Sequence, residues 1–129
     1  MKILHFGKDG GSESTVWGFW LIEIKSLFSV ALLVFEDGSR DAYHSHAFDC
    51  ISWVLRGELM EEMLMSRARR RYCPSLRPII TRRSTFHKVV SRGRTWVLTF
   101  RGPWAPTWFE WIPRRGMVEL THGRQEVAS

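Results

Sequence analysis

The chain has 129 residues and a mass of 15.1 kDa, which fits one domain, 1–129, and leaves no room for a second. Hydrophobic residues make up 44% and aromatic residues 13%, which excludes a disordered chain, and no apolar stretch reaches the roughly 20 residues of a membrane span. The formal net charge of +6 favours contact with anionic partners.

The pattern of the first nine residues leads us to expect no signal peptide. They contain neither the apolar core nor the small-residue cleavage site of a signal peptide. Cys50 and Cys73 are the only cysteines, which is too few for a disulfide framework. We therefore expect a cytoplasmic protein that makes no membrane contact.

Strand patterns dominate the predicted core, which spans about 15–101. Residues 15–24 and 27–35 are rich in β-branched and aromatic side chains, and turn residues follow at 36–39. Further strands are predicted at 42–55 (two short strands, irregular near Ala47), 78–81, 86–90 and 95–100, with turns at 56–58 and 91–94. Short strands with close turns predict an all-β sandwich or barrel.

Residues 58–71 allow two interpretations. Leu59, Met60 and Met63 have helical spacing, but the glycine turn directly before them favours a strand over 58–65. The stretch 67–83 is strongly basic, and its arginines are Arg67, Arg69, Arg70, Arg71, Arg77, Arg82 and Arg83. They form either a solvated loop that keeps the protein soluble or a contact for nucleic-acid phosphates.

The segment 103–122 forms a tail that is rich in tryptophan and proline. Its large aromatic residues are Trp104, Trp108, Phe109 and Trp111. Proline excludes a central strand, so we expect the tail to wrap over apolar surface or to pair as an edge. It would serve as a lid over the core or as the contact of a homodimer, because tryptophan is favoured at interfaces.

His44 and His46 are separated by one residue. Positions i and i+2 of a strand face the same side, so both imidazoles would point in one direction. Inside a barrel they need polar partners, which hydrogen bonds or a shared metal would supply, and His87 could be a third ligand. His5 and His122 lie near the termini, where we expect surface residues.

The spacing around these histidines resembles the first signature of the cupin superfamily, Gly-x5-His-x-His-x3-Glu-x6-Gly. Gly38 and Gly57 occupy its glycine positions, and Cys50 replaces its glutamate. The second signature, Gly-x5-Pro-x-Gly-x2-His-x3-Asn, is matched at its histidine by His87. Its proline, second glycine and asparagine positions hold Arg82, Ser84 and Ser91. The resemblance implies a small jelly-roll β-barrel with a metal inside its mouth.

Cysteine at the glutamate position resembles the thiol dioxygenases, cysteine dioxygenase above all. In that family three histidines hold iron, and the cysteine is often cross-linked to a tyrosine on a later strand. Tyr43 and Tyr72 are the only tyrosines here, and Arg101 stands near the expected position, so we expect no cross-link. The metal ligands that the resemblance implies are His44, His46 and His87.

Three neutral ligands would leave the metal its full +2 charge, which favours a thiolate or carboxylate substrate. Fe(II) is the expected metal, with Zn, Ni or Mn as alternatives. Cys50 would act beside the metal as a catalytic group or weak ligand, or would pack as a small buried hydrophobe. Asp49 would face away unless a bulge near Ala47 turned it inward, which would give a triad of two histidines and one carboxylate. Arg101 would bind a substrate carboxylate in the catalytic site, or would lie at the surface.

The sequence therefore predicts a small metal-binding cupin that acts as a mononuclear Fe(II)-dependent dioxygenase on a small anionic or thiol compound. One alternative is a non-enzymatic cupin module that binds a small molecule. The other is a basic protein that associates with nucleic acid through residues 67–83.

Overall fold

The computed structural model describes residues 1–9, 14–39, 43–112, 114–121 and 126–127. These residues form ten strands and no helix, which confirms the all-β prediction. The strands are β1 (Lys2–Lys8), β2 (Val16–Ile24), β3 (Phe28–Phe35), β4 (Gly38–Ser39), β5 (Cys50–Met63), β6 (Arg69–Tyr72), β7 (Ile79–Thr81), β8 (His87–Arg101), β9 (Thr107–Ile112) and β10 (Gly116–Thr121). A helix that could cross a membrane is absent from this described part of the chain.

The strands pair in an antiparallel jelly-roll arrangement. The main sheet has the order β1-β2-β3-β8-β5-β6, with β4 paired to β8 and β7 paired to β5. The tail forms a separate hairpin, in which β9 pairs with β10, and its role as a lid or as a dimer contact stays a prediction. Pro113 and His122 of the predicted tail lie outside the described residues.

Two predicted turns are wrong, because β5 and β8 continue through them. Residues 56–58 lie within β5, whose pairing with β8 shifts register on both sides of Arg56. Residues 91–94 likewise lie within β8. Gly57 (φ +93°) and Gly93 (φ +69°) provide the positive φ angles in these two stretches. The glycines therefore mark irregularities inside two long strands, where a bulge bends the sheet without ending the strand.

The segment after Gly57 is a strand up to Met63, as predicted, but the basic loop prediction is wrong for residues 69–72. Those residues form β6 at the edge of the sheet, paired with β5. Cross-strand ion pairs join Arg69 to Glu62 (3.5 Å) and Arg71 to Glu58 (2.8 Å). Charged side chains on an edge strand discourage pairing with another chain.

Strand alternation separates an interior face of the main sheet from an outer one. The interior apolar cluster consists of Val16, Trp20, Ala31, Leu33, Val54, Leu59 and Val97. At one end of this interior the side chains become polar. There Ser29, Arg101, Cys50 and Thr81 lie side by side on β3, β8, β5 and β7. The polar end is where the predicted site residues gather.

Candidate metal centre

The three predicted ligand histidines meet inside the jelly roll. Their ring centroids form a nearly equilateral triangle, with separations of 5.0 Å (His44–His46), 5.1 Å (His44–His87) and 5.1 Å (His46–His87). One possible ligand atom from each ring lies within 4.8 Å of the other two. Two of these atoms, Nε2 of His46 and Nε2 of His87, are 3.0 Å apart. His44 and His87 are buried, whereas His46 is half-buried at the opening.

A pair of backbone hydrogen bonds fixes His44 beside His87. The amide of His44 donates to the carbonyl of His87 (2.9 Å), and the amide of His87 donates back to the carbonyl of His44 (3.0 Å). His44 is an isolated bridge residue, and residues 45–49 are irregular. The expectation that His44 and His46 share a regular strand is therefore wrong, although their rings converge as expected.

The tail hairpin supports this irregular segment from the other side. The amide of Ser45 donates to the carbonyl of Phe109 (2.8 Å), and the amide of Phe109 donates to Oγ of Ser45 (3.0 Å). The amide of Trp111 donates to the carbonyl of Tyr43 (2.7 Å). Residues 43–45 thus lie between β8 and β9, and the hairpin holds the backbone on both sides of His44.

Glu61 contacts the third histidine and was not identified from the sequence. Its Oε2 accepts a hydrogen bond from Nδ1 of His87 (2.6 Å), and its Oε1 accepts one from the hydroxyl of Tyr72 (3.0 Å). Burial works to raise the pKa of Glu61, but the hydrogen bond from His87 and then that from Tyr72 outweigh it and hold this pKa below its usual value. The carboxylate is therefore ionised, and the proton of His87 resides on Nδ1. The sequence contained one indication of this contact. On a strand, Glu61 lies on the same face as Leu59 and Met63, so its side chain would point to the interior with theirs.

These contacts fit a bound metal ion. With its proton on Nδ1, His87 presents the lone pair of Nε2 towards Nε2 of His46. The two Nε2 atoms are 3.0 Å apart, close enough for both to bind one metal ion. Metal-bound histidines commonly donate their second N–H to a carboxylate, as His87 does to Glu61. A three-histidine site of this kind could hold a divalent cation.

Cys50 and Arg101 line the same cavity as the histidines, and they lie opposite each other in the β5–β8 ladder. Cys50 is half-buried and has a free thiol, and it does not join the cluster of potential metal ligands found among the described residues. Arg101 is buried, so its interpretation as a surface residue is wrong. Its Nη2 donates to Asp9 Oδ2 (2.6 Å) and its Nη1 to Asp9 Oδ1 (3.3 Å).

Phe48 connects the arginine to the histidine cluster. Its buried ring packs against His46 at a centroid distance of 5.1 Å, and the Arg101 guanidinium carbon lies 4.6 Å from its centroid. No pattern in the sequence distinguished Phe48 from other buried aromatic residues. Phe48 therefore separates a cationic group from the metal-ligand cluster within one cavity.

Asp49 does not approach the histidines. Its side chain is exposed, and Oδ1 accepts a hydrogen bond from the amide of Arg83 (2.5 Å). The irregular backbone near Ala47 leaves this carboxylate facing outward, so the triad with Asp49 is wrong. His5 lies exposed on β1, as expected.

Comparison with known proteins identifies the fold. No protein-family model matches the chain, and no curated protein sequence matches it. Among solved structures, a cupin superfamily protein from Desulfitobacterium hafniense is 18% identical, with a TM-score of 0.58 over 74% of this chain and 84% of that one. A sugar phosphate isomerase of the cupin superfamily from Silicibacter pomeroyi is 16% identical (TM-score 0.63; 89% and 77% covered). An RmlC-like cupin from Shewanella frigidimarina is 13% identical (TM-score 0.59; 78% and 84% covered).

At these identities the similarity defines the fold alone. The chain has the cupin jelly-roll fold, and a cluster of three histidines lies inside it. The predicted fold class is therefore confirmed.

Proposed function

We propose that the chain is a mononuclear metal-dependent cupin enzyme, specifically an Fe(II)-dependent dioxygenase of a small anionic or thiol compound. The observation that carries the proposal is the His44–His46–His87 cluster, in which His46 and His87 direct Nε2 atoms at each other. The cluster contains no carboxylate or thiol ligand among the described residues. Three neutral ligands leave a divalent metal its full charge, so an anionic substrate is favoured as the next ligand.

The surrounding residues support binding of a small molecule. The cavity measures about 120 Å³, and much of its wall is apolar, with Val16, Leu33 and Val97 among the lining residues. Arg101 would bind the anionic group of the substrate. Its guanidinium has five N–H donors, of which the two hydrogen bonds to Asp9 use only two.

Each polar group has a separate task in this proposal. The three histidines would hold the metal, and Glu61 would bind the Nδ1 side of His87 and so orient its Nε2 towards the metal. Bound Fe(II) would supply the activation of O2 next to the substrate. Cys50, which neighbours Arg101 across the ladder, would contact the bound substrate rather than the metal. A reducing cytoplasm would keep its thiol free.

Metal analysis after anaerobic loading with Fe(II) tests the first half of the proposal. We expect about one Fe per chain in the wild type and a loss of at least about tenfold in affinity for His44→Ala and His87→Ala. His5→Ala is the matched control, because His5 is an exposed histidine on β1. Equal metal content in all four proteins would rule out the site.

Oxygen uptake tests the second half. Loaded protein should consume O2 with at least one member of a panel of small thiols and carboxylates. Arg101→Met should lower kcat/KM for that substrate, mainly by raising KM. Saturable binding of the panel without O2 uptake would instead identify a non-enzymatic binding module.

Association with nucleic acid has less support than either activity. Two arginines of the basic stretch, Arg69 and Arg71, already pair with glutamates of β5. Retention on DNA that weakens with salt and disappears in an Arg82→Ser, Arg83→Ser variant would be needed to favour it.

A further inference from the structure

The outer face of the main sheet is apolar along complete rows of neighbouring strands. One row crosses six strands and consists of Ile3, Ile22, Val30, Phe100, Ile51 and Ile80. The next row crosses five strands and consists of Phe6, Phe19, Leu32, Leu98 and Trp53. We call these two rows the outer sheet face. Neither row contains a polar or charged residue.

These side chains are accessible in the single chain. Ile80 is 64% exposed and Phe100 44%, and the exposure extends to Ile3, Phe6, Phe19 and Ile51. Strands β2, β3 and β8 therefore carry apolar side chains on both faces, a pattern typical of strands that are covered on both sides. Interior residues such as Val16, Leu33 and Val97 line the cavity, whereas no described strand packs on the outer face, which the carbonyl of Leu76 contacts at Trp53 (3.2 Å).

The size of the face matches what a stable dimer needs. With strands about 4.8 Å apart and rows about 7 Å apart, the two rows and the apolar residues beside them cover roughly 500 Å² of flat sheet. Side chains protrude from the sheet, so the accessible surface is larger than this flat area. It approaches the ~800 Å² per partner of a standard interface. A typical monomer exposes a largest apolar patch of only about 300–600 Å², and such patches often bind a partner.

We propose that the outer sheet face binds the same face of a second copy of this chain. Two twisted sheets pack face to face at about 10 Å with their strands about 30° apart, and an uncharged face is complementary to itself in that arrangement. Nucleic acid would need many cations, and membrane-binding surfaces are rich in Lys or Arg beside their apolar residues. Both rows lack them, and the next row on this face carries only Lys8 and Arg56, one at each end. The two rows include no residue of the Trp-rich tail, so this contact involves none of the hydrogen bonds that the tail makes to Tyr43 and Ser45.

Sedimentation velocity on the full chain tests this proposal. We expect the wild type to sediment at twice 15.1 kDa in the micromolar range. Phe100→Lys and Ile51→Lys, which lie opposite each other in the sheet, should each raise the dimer Kd at least about 30-fold, the effect of losing one interface hot spot. Ile80→Lys, at the exposed sheet edge, supplies a third variant that is easier to accommodate if the other two unfold.

Two controls place a lysine at an exposed apolar residue elsewhere. Met65→Lys changes a residue that is 87% exposed, and Trp111→Lys changes the tail hairpin. Both should remain dimeric, and far-UV circular dichroism should show that all variants are folded. A monomeric wild type, a dimer that withstands the three face variants, or a dimer that only Trp111→Lys dissociates would overturn the proposal. So would a wild-type chain that floats with neutral phosphatidylcholine vesicles as a monomer.

Discussion

Oε2 of Glu61 lies 2.6 Å from Nδ1 of His87, and this contact determines which nitrogen of His87 faces the other two histidines. The register explains the contact, because Glu61 is opposite Val89 and is thus a diagonal neighbour of His87 on the adjacent strand. Tyr72 holds the other carboxylate oxygen from β6. The orientation of one candidate ligand therefore depends on the pairing of three strands.

Glu61→Gln should weaken metal binding by about 10–100-fold, because the amide cannot supply the negative charge that fixes the proton on Nδ1. Isothermal titration with Zn(II) or Fe(II) measures the change directly. Glu62→Gln is the matched control, since Glu62 is the next residue of β5 and pairs with Tyr43 and Arg69 instead. Equal losses in the two variants would show that the Glu61–His87 contact has no specific role.

Cys50→Ala should leave metal affinity within about threefold of the wild type. The thiol lines the cavity but does not belong to the group of ligand atoms that converge. The same titration measures this effect, and His46→Ala serves as the positive control. A loss of metal from Cys50→Ala comparable to that from His46→Ala would make Cys50 a ligand and would contradict the proposed ligand set.

Asp9→Asn should lower the free energy of unfolding by about 3–5 kcal/mol, because it leaves the buried guanidinium of Arg101 without its counter-charge. Burial alone would lower the pKa of Arg101, but Asp9 outweighs it and keeps this pKa above its usual value. Glu36→Gln removes the partner of Arg94 in an exposed pair and should cost no more than about 1 kcal/mol. Urea denaturation compares the two variants, and equal costs would contradict the importance of the buried pair.

Gly57→Ala should destabilise the chain more than Gly93→Ala. Both glycines have positive φ, which costs an L-residue about 1–2 kcal/mol. At Gly57 a Cβ would also lie 2.7 Å from the carbonyl oxygen of Arg94 and would collide with Thr95, whereas at Gly93 it would meet nothing within 4 Å. We expect a loss of about 2–5 kcal/mol for Gly57→Ala in urea denaturation. The reverse ranking would mean that Gly57 does not define the irregularity of β5.

The strands were easier to predict than their ends. Residues 15–24 and 27–35 are rich in β-branched and aromatic residues, which favour a strand over a helix. The turns at 56–58 and 91–94 were wrong because a glycine with positive φ serves a bulged strand as well as a turn. Only the ladder between β5 and β8 distinguishes the two cases.

The histidine cluster was predictable because the spacing of His44 and His46 to Gly38 and Gly57 is local in the sequence. Its supporting partners were not. Glu61 reaches His87 through strand register, and Asp9 reaches Arg101 across 92 residues of sequence. Such contacts depend on the topology of the whole sheet, which no short pattern contains.

The hairpin of β9 and β10 is synthesised after the segment that it supports. These residues leave the ribosome after all three histidines, yet they supply one of the two neighbours that hold residues 43–45 in place. A nascent chain that ended before Thr107 would carry every candidate ligand but would lack the bonds with Phe109 and Trp111 that hold the backbone on both sides of His44. Acquisition of metal would therefore depend on the hairpin having been synthesised and docked.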